Sequence, residues 1–234
     1  MNVARWWKHA IAAAALTAAA PGYCADNSIW IATGEATKED YYFGLGVLIP
    51  LPGYVLGHGW VQRYWVDHYT YSYQSGVQQI DASVWGAEGM LGYQASKPGR
   101  YGAAYLGLRY ANTDLSPDDP GNGARGDQLR LRGQLEGTAE FSQRWRGEGI
   151  VAYTFGLNSY WTRARLLRSL PGSRFIGPEL ILQGDPTYNA QKIGLVYGGM
   201  QPFGHGISMN VHGGYRFQSG ANAVYVGIEL VGMF

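Results

Sequence analysis

The residues best suited to chemistry in this chain are crowded into "NTDLSPDDPGNGARGDQ", Asn112 to Gln128. Asp114, Asp118, Asp119 and Asn122 bring side-chain oxygens and Arg125 a cation, among two prolines and three glycines. A helix-loop-helix calcium site places oxygen donors at alternate positions, but counting from Asp118 the third position is Pro120, which brings no side-chain oxygen. Turn-building explains the composition better. Pro120 holds Asp119 extended, while Gly121 and Gly123 let the chain reverse. The expectation is no metal and no other cofactor.

Catalytic patterns are thin. No serine sits in a G-x-S-x-G turn and no H-E-x-x-H pair occurs. Beyond the amino-terminal segment the histidines are His58, His68, His205 and His212. His58 and His205 fall in expected turns, and His68 follows Asp67 on a tyrosine-rich stretch. A serine–histidine–carboxylate set drawn from distant segments leaves no local signature, because such groups meet only in space. No catalytic residue is assigned from sequence.

The elements that must position these side chains read as strands. In "DQLRLRGQLEGTAEF", Leu129, Leu131, Gly133, Leu135, Gly137, Ala139 and Phe141 share one face, and Gln128, Arg130, Arg132, Gln134 and Glu136 the other. Similar alternation runs through 105–110, 159–168 and 207–217. Counting such runs gives about twelve strands, near 28–35, 40–49, 60–73, 78–94, 101–112, 127–141, 145–156, 159–168, 174–184, 189–200, 206–217 and 223–234. No linker or repeat divides them, so one domain is expected.

The beginning of the chain sets the compartment. Arg5 and Lys8 precede the short apolar stretch Ala10 to Ala20, which describes a secretory signal peptide over residues 1–25, with cleavage near Cys24 and Ala25. The remaining domain, 26–234, then has no cysteine and no disulfide. Of 18 basic and 17 acidic residues, setting Arg5 and Lys8 aside leaves 16 and 17, so bulk charge points to no nucleic-acid partner. With 35 glycines, 18 tyrosines, 8 tryptophans and 15% charged residues, the surface is poor in charge for a water-soluble domain.

The alternation, the secretory start and the ending "NAVYVGIELVGMF" agree on one architecture. It is an all-β fold, a closed antiparallel transmembrane β-barrel in the bacterial outer membrane, bounded by outer-membrane lipid. Aromatic belts are expected from Trp60, Tyr64, Trp65, Tyr69, Tyr71, Tyr101, Tyr105, Trp145, Tyr153 and Trp161. Parity sends Arg109, Arg130, Arg132, Glu136, Arg163, Arg165 and Glu179 into the lumen, with Arg63, Asp67, Glu88, Glu148, Lys192, Arg216 and Glu229. Because both signs are interspersed, a salt-bridged plug is expected over an open pore. With the amino terminus periplasmic, the 112–128 stretch becomes the longest extracellular loop. The periplasmic connection "IPLPGYVLGHG" is long for its side.

"VWGAEGMLGYQ" (84–94), "YLGLRYANTDLSPDDPGNGARGDQ" (105–128), "SYWTRARL" (159–166) and "IGPELILQGDPTYNAQKIG" (176–194) resemble the BcsS family of cellulose biosynthesis proteins. The resemblance implies an accessory role in cellulose biosynthesis, secretion or surface anchoring, without established chemistry. It makes Asp114, Asp118, Asp119, Asn122 and Arg125 a candidate recognition set, with a cellulose or other glucan chain, or further secretion components, as partners. Two other readings stand beside it: an outer-membrane enzyme of lipid A deacylase or phospholipase type, and a small passive channel.

Overall fold

The computed structural model describes residues 28–203, 206–218 and 222–234; the expected signal peptide and His205 lie outside the described residues. Twelve strands follow in order: β1 (Ile29–Ala36), β2 (Tyr41–Pro50), β3 (Gly59–Ser75), β4 (Gln78–Lys97), β5 (Arg100–Ser116), β6 (Gly126–Ser142), β7 (Trp145–Thr154), β8 (Ser159–Ser169), β9 (Phe175–Gly184), β10 (Asn189–Met200), β11 (Ile207–Gln218) and β12 (Ala223–Met233). Each pairs antiparallel with its sequence neighbours. β1 also pairs with β12, from Ile29 opposite Met233 to Ala36 opposite Val226, so the sheet closes without a free edge. The boundaries fall within a few residues of those read from alternation.

Closure turns a period-two pattern into an inside and an outside. Leu106, Leu108, Leu129, Leu131, Leu135, Ile193, Leu195, Val224 and Val226 stand exposed on the outer face, while Tyr225 and Val61 are completely buried on the inner one. An apolar exterior around a barrel whose backbone groups are paired strand to strand is what hydrocarbon requires. On β2 the inward positions Gly44 and Gly46 leave room for a single large ring. A Cβ on Gly44 would come within 2.5 Å of the Trp65 indole, and one on Gly46 would collide with the same ring.

The lumen is packed in layers. At the end carrying both termini, Leu48, Val61, Met90, Ala103 and Tyr105 cluster with Ile29, Leu56 and Tyr101, and Leu167, Phe175 and Val196 form a second group. Leu56 comes from the long 51–58 connection. That connection is held by the Leu51 amide on the Trp60 carbonyl (2.9 Å) and the Gly57 amide on Gln94 Oε1 (2.7 Å). Its length serves to tuck an apolar side chain under the barrel.

The walls are unequal. β3, β4, β5 and β6 have 17, 20, 17 and 17 residues, whereas every other strand has 8 to 12. About 9–11 residues suffice to cross a bilayer, so the surplus stands clear of it. The β2–β3 ladder ends at Tyr42 opposite Tyr69, and the β6–β7 ladder at Arg132 opposite Thr154, so at the far end 70–75 of β3 rise beyond β2 and 126–131 of β6 beyond β7. Outward positions there are polar (Thr70, Ser72, Gln79, Asp81, Ser83), while Tyr71, Tyr73, Ile80, Ala82 and Val84 face inward and are buried.

Two expectations need correction. β5 continues to Ser116 and β6 starts at Gly126, so the connection is 117–125 and Asp114 lies on a strand. Of the proposed belt residues, Trp65, Tyr69, Tyr71, Tyr101, Tyr105 and Trp161 point into the barrel, as Tyr71 (7% exposed) and Tyr105 (4%) show most plainly. A twelve-stranded lumen is too wide for small side chains to fill, so large rings are drawn inward. Trp60, Trp145 and Tyr153 do lie on the outer face.

Candidate functional site

Mid-height in the barrel, the inward charges from neighbouring strands meet. On the tall wall, Arg109 of β5 grips Asp67 of β3 through two bonds, Nη1 to Oδ2 and Nη2 to Oδ1, both 2.7 Å. Glu88 of β4 lies between Arg63, which donates to its Oε1, and Arg132, whose Nε is 2.8 Å from Oε2. Arg132 also donates Nη1 to Thr154 Oγ1 at 2.7 Å. Glu88 and Asp67 are nearly inaccessible to solvent.

On the short wall, Arg165 of β8 bridges Glu179 of β9 and Glu229 of β12 at 2.5 and 2.9 Å. Arg163 donates to the same Glu229, and His212 Nδ1 stands 2.9 Å from Glu179 Oε1. Tyr225 donates its hydroxyl to Glu179 as well, at 3.3 Å. Two further pairs stand on the same side: Lys192 with Glu35, and Arg216 Nη1 with Asp40 Oδ2 at 2.6 Å. Buried charges persist only when paired and hydrogen-bonded, and here they are paired across strands far apart in sequence.

Of the fourteen residues assigned to the lumen, Arg63, Asp67, Glu88, Arg109 and Arg132 thus join one cluster and Arg163, Arg165, Glu179 and Glu229 the other. Arg130 and Glu136 share the inward face but interact locally, Arg130 with the Leu129 carbonyl (3.1 Å) and Glu136 with Gln134 Nε2 (2.6 Å). Glu35 and Asp40 were missed. Glu35 follows Ile31 and Thr33 on the inward face of β1, a parity signal that was there to use, whereas Asp40 sits in a turn and offers none.

The far end is closed by a different chemistry. Tyr69, Tyr71 and Tyr73 stack in succession up β3 with centroids 6.1 Å apart, and the Tyr188 ring meets Tyr71 edge-on at 5.1 Å. Tyr188 belongs to the β9–β10 turn, across the barrel from β3, so this contact spans the mouth. Gln218 of β11 also reaches across, donating Nε2 to the Ser72 carbonyl at 2.8 Å.

The 117–125 connection folds onto this cap. The Tyr73 hydroxyl donates to Asp119 Oδ2 and accepts from Asn122 Nδ2, both at 2.8 Å. Asn122 is buried, and its Oδ1 accepts the Ala124 amide at 2.8 Å while Asp119 Oδ1 accepts the Gly121 amide at 3.2 Å. The hydrogen bond from Tyr73 holds the Asp119 carboxyl below its usual value, in spite of desolvation acting the other way. Asp118 and Arg125 pair on the solvent side at 2.6 Å, both about half exposed. Asp114 stands apart, exposed on the outer face of β5 opposite Ser83.

Two cavities flank the cap. One, of about 160 Å3, lies under the loop between Tyr71, Arg109, Asn122 and Arg130, and the other, of about 470 Å3, between Tyr73, Gln74, Tyr188, Asn189 and Gln218. They share Asp185, Pro186 and Thr187 of the β9–β10 turn. That turn is braced by Asp185 Oδ1, which accepts the Thr187 amide and hydroxyl (2.7 Å each) and the Tyr188 amide (2.9 Å).

The histidines divide. His212 is committed to the buried cluster, while His68 points outward at the upper edge of the apolar band, between the rings of Tyr41 (5.3 Å) and Trp85 (4.3 Å). His68 Nε2 is 3.2 Å from Ser83 Oγ. Among the described residues no group of three or more acids, histidines or cysteines is arranged to hold a metal ion.

Solved structures similar to this one are outer-membrane barrels. The beta domain of the Bordetella autotransporter BrkA is 15% identical with a TM-score of 0.50, the match covering 89% of this chain and 100% of that one. The transport unit of the autotransporter AIDA-I from Escherichia coli is 8% identical with a TM-score of 0.50, covering 96% and 97%. A KdgM porin is 12% identical with a TM-score of 0.46, covering 86% and 97%. At these identities the likeness concerns the fold alone. No curated protein matches the sequence. One family model does, over residues 29–234, and its description is cellulose biosynthesis protein BcsS.

Proposed function

We propose that this chain, which belongs to the cellulose biosynthesis protein BcsS family and is a barrel of the bacterial outer membrane, serves cellulose secretion or surface anchoring as a non-enzymatic accessory. With both termini periplasmic, the tall wall and its tyrosine cap face the outside. The observation that carries this reading is how the lumen is filled. Ion pairs occupy its middle, apolar groups its terminal end and tyrosines its mouth, which suits a stable fixture presenting an outer surface better than a conduit. In this reading the 117–125 loop and the mouth meet glucan or the other components of secretion. Deleting the gene in a cellulose-producing strain is expected to change how much cellulose is released or retained at the cell surface, and restoring it to reverse the change. Unaltered cellulose in both fractions would refute the reading.

One observation favours a second reading, a lipid hydrolase. His68 and Ser83 sit 3.2 Å apart on the outer face, where a lipid ester could reach them. Fatty-acid release from phospholipid vesicles by the purified barrel, lost in both Ser83→Ala and His68→Ala, would establish it. Release that survives both changes would remove the pair from consideration.

A further inference from the structure

The mouth holds groups that the ion-paired lumen does not use, and their chemistry specifies a ligand. The larger cavity, at about 470 Å3, falls within the roughly 300–1,000 Å3 that small-molecule sites occupy. Its walls offer two phenol rings, from Tyr73 and Tyr188, and the side-chain amides of Gln74, Asn189 and Gln218. Among the described residues no lysine or arginine lines it, and the one carboxylate there, Asp185, already braces its own turn through Oδ1. An anionic polymer would find no counter-charge here. Amides and hydroxyls both donate and accept, as sugar hydroxyls do, and aromatic faces suit the C–H face of a pyranose ring.

A polar group without a partner lies in the same place. Gln218 donates Nε2 across the mouth to the Ser72 carbonyl, which leaves its Oε1 with no hydrogen-bond partner. Such an orphaned group costs free energy in a closed barrel and marks a place where a hydroxylated ligand would satisfy it.

We propose that this cavity is a binding site for a single neutral glucan chain, with Tyr73 and Tyr188 as stacking platforms and Gln74, Asn189 and Gln218 as hydroxyl partners. The site rests on the accessory reading above for the identity of the sugar and goes beyond it in locating the contact. Residues Asp185, Pro186 and Thr187 of the turn that carries Tyr188 border both cavities, and the site is confined to the larger one.

The test is calorimetric titration of the purified full barrel in detergent with cellohexaose, and with a uronic-acid hexamer as the charged counterpart. Cellohexaose is expected to bind and the acidic oligomer not to. Tyr73→Phe keeps the ring and should retain affinity, whereas Tyr73→Ala should lose about tenfold. Should Tyr73→Ala fail to form a heat-stable barrel, Gln74→Ala at the exposed strand tip decides, with a loss of about fivefold expected. No binding of cellohexaose, equal binding of the acidic oligomer, or affinity untouched by Gln74→Ala would overturn the site. Absence of binding alongside a cellulose change in the deletion strain would sink the site and leave the accessory role standing; binding with unchanged cellulose would do the reverse.

Discussion

The tall wall, β3 to β6, and the short wall, β7 to β12 with β1 and β2, are built from the same alternation and end differently. Both carry inward arginines and acids at mid-height, Arg109 with Asp67 on one side and Arg165 with Glu179 and Glu229 on the other. The short wall ends a few residues above that level, at Ser159, Gly184 and Ala223. The tall wall goes on for several residues with inward tyrosine, isoleucine, alanine and valine in place of charge. Strand length beyond that needed to cross a bilayer is therefore spent on a second, apolar core. The two walls should differ in what breaks them: the short wall through its charges, the projecting part of the tall wall through a few hydroxyl and amide contacts.

The largest effect is expected on the short wall. Arg165→Ala leaves Glu179, completely buried, and Glu229 without their shared partner. Removing one member of a buried pair costs about 3–5 kcal/mol. Thermal unfolding in detergent, followed by the gel shift between folded and unfolded barrel, would measure it. A loss under about 1 kcal/mol would mean that the pairs lie idle and that the distinction between the walls is false.

A smaller effect, confined to the cap, is expected from Tyr73→Phe. The ring stays in its stack, but Asn122 Nδ2 is left buried without an acceptor and Asp119 loses a donor. An unpaired buried amide costs about 1–3 kcal/mol. Because the backbone of the loop continues into strands only at 116 and 126, the cost should appear as faster proteolysis within 117–125, with the unfolding of the barrel little changed. Equal destabilisation of the whole barrel would show that the cap and the ion-paired middle unfold as one unit.

The difference between the walls was partly legible in the sequence. Alternation located all twelve strands, and parity placed Arg109, Arg132, Arg163, Arg165 and Glu179 inside, because both follow from the pleat of a single strand. What each charge meets was not legible. Arg165 and Glu229 lie 64 residues apart, and only closure of the sheet brings them together. The facing of Tyr69, Tyr71 and Tyr105 was misread because an aromatic near a strand end fits a membrane belt and a lumen equally well. The loop was overestimated since Asn112 to Ser116 is polar on its outward face, as a strand above the membrane should be, and polar residues beside Pro117 read as coil.

Acid should loosen the cap. The Tyr73 hydrogen bond holds the Asp119 carboxyl below its usual value, so the ionised form is the one that the folded loop favours. That contribution is complete above the ordinary aspartate value of about 3.9 and is lost as the pH falls through the depressed value of the folded loop. Proteolysis within 117–125 is expected to accelerate below that range and not between pH 5 and 8. In Asp119→Asn the acid dependence should vanish; if it persists unchanged, another group closes the loop.

The smallest effect on stability is expected on the solvent side of the same loop. Asp118 and Arg125 pair at 2.6 Å but are about half exposed, and exposed pairs contribute about 0–1 kcal/mol. Asp118→Ala and Arg125→Ala should therefore leave unfolding almost unmoved, which makes them the cleanest probes of recognition in the chain. If either changes the cellulose held at the cell surface while the barrel still assembles, the change cannot be laid to folding, and the loop acts on something outside the protein. If neither does, while Tyr73→Ala does, recognition belongs to the tyrosine-lined mouth and the charged rim is a solvated edge.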